Sequence, residues 1–312
     1  MTSRAQQRVD RALAGDRRSL ARAITLVEMR SPGVGTALAT TTVRRRAGPG
    51  APHVVGITGP PGAGKSTLAD RIIEAAVAAQ QRVAVVAVDP SSPFSGGAIL
   101  GDRVRMGRHT GNDLVFIRSL SSRGHLGGLS AASAEVVDLL DAAGFDLVLV
   151  ETVGVGQSEL GVMEVADTVV VVLTPESGDA VQTMKAGLLE IADVFAVNKA
   201  DRPGADRLVR DLQRSIELNQ AKGWQPPVHA TSAAEGRGVD ALLDETRKHL
   251  AWCAGEGLET WRTRRGDALI RLYLDLVGEA ARAEARTTLD AGLEEAIRTH
   301  RITPHQAAQG KR

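Results

Sequence analysis

The sequence predicts an α/β fold in which a mainly parallel β-sheet is covered by helices and flanked by helical arms at both ends of the chain. From Pro52 onward, short apolar segments rich in Val, Leu, Ile and Ala alternate with longer segments typical of helices. Continuous apolar runs indicate strands that are buried on both faces, which is typical of parallel sheets. Residues 3–30 instead carry apolar side chains at helical spacing among arginines. The alternation therefore favours strand–helix–strand units in the centre of the chain.

The central region contains seven predicted strands. They are residues 53–58, 82–88, 113–117, 145–151, 167–173, 193–198 and 227–231. Residues 236–250 are predicted to form the last helix of this region, and residues 255–300 are rich in the helix formers Ala, Leu, Arg and Glu. We therefore predict an N-terminal helical arm and linker at 1–50, a central domain at 51–250 and a C-terminal helical arm at 251–312.

A phosphate-binding loop follows the first predicted strand. Gly59-Pro60-Pro61-Gly62-Ala63-Gly64-Lys65-Ser66 matches G-x-x-x-x-G-K-S/T and continues into a helix-forming segment. Its glycines let backbone N–H groups turn toward phosphates, and the helix N-terminus adds a partial positive charge. Lys65 is expected to reach the β- and γ-phosphates, and the Ser66 hydroxyl is expected to bind Mg²⁺. With Thr67 as a further nucleotide contact, this pattern predicts a P-loop NTPase domain.

The segment Asn198-Lys199-Ala200-Asp201, which follows the sixth predicted strand, indicates guanine as the base. The Asp201 carboxylate can accept hydrogen bonds from N1 and N2 of guanine, whereas adenine lacks both donors. Such a mismatch discriminates between bases by roughly 10⁴. Asn198 is expected to tie the base loop to the phosphate loop, with the stem of Lys199 flat on the base. Ser232-Ala233-Ala234 suits a backbone contact to guanine O6, so we expect GTP and GDP as ligands.

Three acidic residues are candidates for holding Mg²⁺ together with Ser66. Asp89 directly follows the second predicted strand, Glu151 ends the fourth, and Asp102 lies in the loop that follows Asp89. Carboxylates at the C-terminal edge of a parallel sheet face the ligand crevice, although capping of a turn is the alternative for Asp89 and Asp102. Lys65, Asp102 and Glu151 are the predicted catalytic residues. The expected mechanism is Mg²⁺-assisted hydrolysis of GTP by positioning and charge neutralisation, without a covalent intermediate.

Composition excludes several other classes of protein. The net charge of +1 argues against nucleic acid as a partner, and no apolar run approaches the ~18 residues of a membrane span. The only cysteine, Cys253, excludes an internal disulfide bond, so a cytoplasmic location is expected.

The motifs resemble those of the MeaB/ArgK family of GTPases, which are chaperones of cobalamin-dependent acyl-CoA mutases. The resemblance rests on the phosphate loop and on residues 15–18, 23–28, 88–93, 96–106, 123–128 and 151–159. It implies a GTPase that binds a mutase of the methylmalonyl-CoA mutase type and gates the loading, protection and reactivation of adenosylcobalamin. It also implies a homodimer formed through the C-terminal helices. The chain departs from the family in residues 178–187, where Ala180 replaces a usually acidic residue.

Three alternative functions stay open. A nickel-delivery GTPase of the same broad class would need a Cys or His cluster, whereas this chain has one Cys and seven dispersed His. An ATP-dependent kinase of a transport-system binding protein is opposed by Asp201. A nucleotide-binding module that does not hydrolyse GTP is the third alternative.

Overall fold

The computed structural model confirms the predicted α/β fold. It describes residues 4–43, 52–89, 107–109, 111–121, 131–152, 161–177, 187–218, 223–299 and 301. Its strands are β1 (His53–Thr58), β2 (Val83–Asp89), β3 (Val115–Ser121), β4 (Leu147–Thr152), β5 (Thr168–Leu173), β6 (Val194–Val197) and β7 (Val228–Ala230). All seven form one parallel sheet in the order β3-β2-β4-β1-β5-β6-β7.

Helices precede, separate and follow these strands along the chain. They are α1 (Arg4–Leu13), α2 (Arg17–Glu28), α3 (Val34–Ala39), α4 (Lys65–Ala78), α5 (Ala131–Ala142), α6 (Leu188–Ile191), α7 (Ala205–Leu218), α8 (Val239–Ala254), α9 (Leu258–Thr288) and α10 (Ala291–Arg298). Short 3-10 turns lie at Gly107–His109, Val162–Glu164 and Pro175–Ser177. None of the described helices combines the length and the apolarity needed to cross a membrane.

The central strands have the two-sided burial that their apolar sequences predict. Every residue of β4, β5 and β6 is buried, and α4 and α8 contribute apolar side chains to the same core as β1. β1 pairs with β4 so that Ile57 lies opposite Glu151. Because parallel strands end at the same edge of the sheet, this register places Glu151 beside the start of the loop that follows β1.

The third strand is longer than the sequence predicts. The predicted strand at 113–117 ends where the apolar run ends, but β3 continues through Arg118 to Ser121. β3 is an edge strand, so it needs less apolar sequence than the central strands. Arg118 Nη2 donates to Glu28 Oε2 at 2.5 Å and to Thr25 Oγ1 at 3.0 Å, which ties α2 to this strand.

The N-terminal helical segment is divided into two helices. Gly15 has a φ of +95°, a left-handed conformation that glycine adopts without strain. Asp16 then caps α2, because its carboxylate accepts hydrogen bonds from the backbone N–H groups of Arg18 and Ser19. The Ser19 hydroxyl also donates to this carboxylate at 2.7 Å, and this bond, followed by the backbone bonds, lowers the pKa of the Asp16 carboxyl. The break in the helix is therefore specified locally by Gly15 and Asp16.

The chain forms two compact units, Met1–Gly266 and Asp267–Arg312. The described part of the first unit contains the sheet and the N-terminal helices. In the second unit, α9 carries the exposed apolar residues Ile270, Tyr273, Leu274 and Val277 at successive helical turns. The predicted boundaries of the central domain, residues 51 and 250, stay predictions.

A buried polar cluster lies at the amino ends of β5 and β6, opposite the edge that carries the phosphate loop. His249 of α8 lies 2.9 Å from Thr168 Oγ1 through Nδ1 and 3.3 Å from Asp193 Oδ1 through Nε2. Arg264 Nη1 donates to Asp193 Oδ2 at 3.1 Å. Burial lowers the pKa of His249, an effect that Asp193 partly opposes. Burial also raises the pKa of the Cys253 thiol to about 12, so this cysteine packs as a neutral thiol.

We expect His249 to make folding stability depend on pH. Since its pKa is lower in the folded protein, the unfolded chain takes up a proton first as pH falls through the unfolded pKa of about 6.5. Stability is therefore full above that pH and is lost as pH falls toward the folded pKa. When the pH is lowered from about 7.5 to about 5.5, the free energy of unfolding measured in urea should fall less for His249→Gln than for the wild type. His229→Gln, a substitution at a half-buried histidine, is the control. Equal losses in wild type and His249→Gln would contradict the assignment.

Candidate nucleotide-binding site

The phosphate loop joins β1 to α4 at the carboxyl edge of the sheet, as the strand–loop–helix pattern predicts. Two of its glycines are required by their surroundings. Gly59 has a φ of +136°, and a Cβ there would lie 2.1 Å from the Val172 carbonyl oxygen. Gly64 has a φ of +87°, and a Cβ there would lie 2.4 Å from Asn198 Nδ2. The loop therefore packs against β5 and against the residues that follow β6.

The Lys65 ammonium is held by the phosphate loop itself. Lys65 is 7% exposed, and its Nζ donates to the carbonyl oxygens of Gly59 at 2.7 Å and Pro60 at 3.1 Å. These contacts fix a positive charge against the same loop whose amides are predicted to surround the phosphates. Arginine would not replace it, because a planar guanidinium is larger and cannot act as a compact point charge.

Two of the predicted Mg²⁺ ligands meet at the end of β4. Ser66 Oγ donates to Glu151 Oε1 at 2.6 Å, and Glu151 is 2% exposed. A hydroxyl and a carboxylate are the hard oxygen donors that Mg²⁺ takes in proteins, so this pair fits the ion. The backbone of Asp89 ends β2 at the same edge of the sheet. The side chain of Asp89 and the whole of Asp102 lie outside the described residues, as do residues 153–160 and 178–186.

Asn198 joins the phosphate loop to the loop after β7. Its Nδ2 donates to the Ala63 carbonyl oxygen at 2.9 Å, and its Oδ1 accepts from the Ala233 N–H at 3.0 Å. Thr231 Oγ1 also donates to Asn198 Oδ1, at 3.3 Å. The side chain is 3% exposed, so all these bonds are made away from solvent. The sequence-predicted phosphate and base segments are therefore brought together by one buried amide.

The side chain of Asp201 is oriented by the neighbouring loop. Ser232 Oγ donates to Asp201 Oδ1 at 2.9 Å, which ties the carboxylate to the loop that contains Ala233 and Ala234. Lys199 has a φ of +57°, unusual for a residue with a side chain. Its ammonium pairs with Glu176 at 3.1 Å, a contact that the sequence did not predict.

Sequence reasoning also missed Arg71 of α4. Its guanidinium donates to the carbonyl oxygens of Ala233 at 2.9 Å and Ala234 at 2.8 Å. No sequence signal could have identified it, because its partners are backbone atoms more than 160 residues away in the chain and carry no side-chain pattern.

A metal cluster of the nickel-delivery type would be distinct from the predicted Mg²⁺ ligands. Among the described residues, no group of three or more His, Cys, Asp and Glu side chains could hold a metal ion. The Cys or His cluster expected of a nickel-delivery protein is thus not found in that part of the chain.

The family model described as Methylmalonyl Co-A mutase-associated GTPase MeaB matches residues 20–288. A Pyrococcus horikoshii protein described as a GTPase is 45% identical over 283 residues, which cover 88% of this chain and 87% of that protein. The GTPase ArgK of Escherichia coli is 40% identical over 242 residues, covering 75% and 72%. The crystal structure of a LAO/AO transport system kinase matches with a TM-score of 0.67 at 25% identity, covering 99% of this chain and 97% of the other.

Asp201→Asn should change the choice of base. The amide cannot accept from both N1 and N2 of guanine, so we expect GTP binding to weaken by about 2–4 kcal/mol, while xanthosine triphosphate gains affinity. Isothermal titration with both nucleotides measures the switch. Asp244→Asn, at an exposed aspartate of α8, is the matched control. Unchanged affinity for GTP in Asp201→Asn would rule out a guanine contact at this carboxylate.

Proposed function

This chain belongs to the MeaB family of methylmalonyl-CoA mutase-associated GTPases, and we propose that it uses GTP hydrolysis to gate cofactor loading of a cobalamin-dependent acyl-CoA mutase. The family and the relatives named as GTPases make it a GTP-hydrolysing enzyme. The association with a mutase is supported by the description of the family. Adenosylcobalamin loading, protection and reactivation extend that association and rest on the resemblance in motifs.

The observation that carries the nucleotide assignment is the Asn198 bridge. The Asn198 amide nitrogen donates to the Ala63 carbonyl oxygen of the phosphate loop, and its amide oxygen accepts from the Ala233 N–H of the predicted O6 loop. A nucleotide whose phosphates lie at Lys65 would therefore have its base beside Asp201. That arrangement supports GTP and GDP as the ligands of this site.

The proposed hydrolysis needs charge neutralisation and positioning by the chain's own residues. Lys65 is proposed to take up negative charge that develops between the β- and γ-phosphates. Ser66, Asp89, Asp102 and Glu151 are proposed to hold Mg²⁺, directly or through water. When bound, Mg²⁺ would neutralise further phosphate charge. The short contact between Ser66 and Glu151 supports this assignment, because it already orients both oxygens toward each other.

A homodimer is part of the proposal. Ile270, Tyr273, Leu274 and Val277 of α9 are 48–64% exposed and follow the i, i+3, i+4, i+7 spacing of a single helical face. Exposed apolar stripes of this kind are typical of surfaces that another helix covers. We propose that a second copy of the chain covers this apolar stripe of α9. We also propose that the protein acts in the cytoplasm.

A second candidate is an ATP-dependent kinase of a transport-system binding protein. The similarity to the solved LAO/AO transport system kinase, with a TM-score of 0.67, favours it. The carboxylate of Asp201, oriented by Ser232, opposes it because adenine lacks the N1–H and the 2-amino group that such a carboxylate would bind. Competition between GTP and ATP for the same site distinguishes the two functions, since the kinase must prefer ATP.

Glu151→Gln should separate nucleotide binding from hydrolysis. The substitution keeps the size of a buried side chain but removes its charge, so we expect GTP affinity within about threefold of wild type. The Mg²⁺-dependent hydrolysis rate should fall by about 100-fold or more. Steady-state phosphate release and a titration with a non-hydrolysable GTP analogue measure the two effects. Glu256→Gln, at an exposed glutamate, is the control. Normal hydrolysis by Glu151→Gln would show that this carboxylate is not catalytic.

Partner coupling is tested with purified mutase. We expect a cobalamin-dependent acyl-CoA mutase from the same cell to co-purify with this protein and to raise its GTPase rate by about tenfold or more. Asp201→Asn provides a specific control, because its stimulation should be lost with GTP and restored with xanthosine triphosphate. No complex and no stimulation with any such mutase of that cell would contradict the proposed partner.

A further inference from the structure

We infer that Arg71 is a positioning residue that sets the direction of the backbone N–H donor for guanine O6; the inference rests on the proposed guanine site. Arg71 lies in the second turn of α4, the helix that begins with Lys65. Its Nε donates to the Ala233 carbonyl oxygen at 2.9 Å, and its Nη2 donates to the Ala234 carbonyl oxygen at 2.8 Å. One planar guanidinium thus holds two successive carbonyl groups of the loop.

The Ala233 N–H already makes a hydrogen bond within the protein. It donates to Asn198 Oδ1 at 3.0 Å. An O6 contact must therefore share that N–H or use the next one along the chain, which belongs to Ala234. The identity of the donor depends on how the peptide group between Ala233 and Ala234 is oriented.

Arg71 fixes that orientation through the geometry of the peptide bond. In a planar trans peptide, the C=O of one residue and the N–H of the next point in opposite directions. Because Arg71 holds the Ala233 carbonyl oxygen, the Ala234 N–H must point away from Arg71. The second bond, to the Ala234 carbonyl oxygen, restrains the next peptide group in the same way. The two bonds oppose rotation of the loop's donors, together with the Gly236 N–H, which also donates to the Ala233 carbonyl oxygen at 3.2 Å.

The guanidinium is itself held in place along α4. Arg71 Nη1 donates to Glu74 Oε2 at 2.8 Å, and Glu74 Oε1 lies 2.9 Å from Arg108 Nη1. Glu74 is 39% exposed, so these ion pairs contribute little by themselves. These ion pairs align the N–H donors of the Arg71 guanidinium with the carbonyl groups of the loop. Lysine does not reproduce this geometry, because its tetrahedral ammonium lacks the planar fork of parallel N–H donors that a guanidinium has.

The test compares GTP with 6-thioguanosine triphosphate. The thio analogue keeps the N1 and N2 donors for Asp201 but replaces O6 with sulfur, a weaker acceptor. We expect the wild type to prefer GTP by about tenfold, the loss of one neutral hydrogen bond. In Arg71→Ala and Arg71→Lys, GTP affinity should fall about fivefold to tenfold and the preference should approach unity. Thermal unfolding checks that each variant is folded. Arg247→Ala, at an exposed arginine of α8, is the control and should match the wild type.

The outcomes separate this inference from the proposed function. A wild type that prefers neither GTP over ATP nor GTP over the thio analogue contradicts the guanine site itself. A wild type that prefers GTP over ATP but binds the thio analogue equally well overturns only the O6 inference. An unchanged preference in the folded lysine variant overturns the role of Arg71, even if the affinity for GTP falls, since a purely structural effect would weaken both nucleotides alike.

Discussion

The rest of the site depends on the buried side-chain amide of Asn198. Its two ends bond to Ala63 and Ala233, which lie in loops separated by most of the central domain in sequence. A buried amide must satisfy both its donor and its acceptor, so neither loop can move away without leaving a polar group unpaired. Gly64 makes the approach possible, because Asn198 Nδ2 occupies the space where a Cβ would lie.

The parallel sheet supplies the frame for this bridge. β1 leads to the phosphate loop, β4 ends at Glu151 and β6 leads to Asn198. The segments proposed to bind the phosphates, the metal ion and the base therefore each start from a different buried strand. Burial on both faces fixes these strands against one another. The loops at their carboxyl ends consequently start from rigid positions, which allows single side chains such as Arg71 to set the orientation of a distant loop.

The architecture could be predicted from the sequence, and the phosphate and base motifs could be recognised in it. Both depend on runs of apolar residues or on the spacing of glycines, which are patterns among residues close together in the chain. They did not predict the full length of β3, whose edge position tolerates Arg118 and depends on a contact with Glu28. They also missed Arg71 and Glu176, which act through contacts between distant segments. The roles proposed for the site residues stay predictions. For Asp89 and Asp102 even the geometry is open to no comparison, since the side chain of Asp89 and the whole of Asp102 lie outside the described part of the chain.

The packing of Cys253 has a practical consequence for spectroscopy. The thiolate is the form that reacts with alkylating reagents, and a thiol that is 2% exposed with a pKa of about 12 forms little of it near neutral pH. Because this is the chain's only cysteine, a cysteine introduced at an exposed position would be labelled selectively without removing the native one. Pairs of dyes or spin labels could then report distances between the nucleotide site and the C-terminal helices in otherwise unaltered protein.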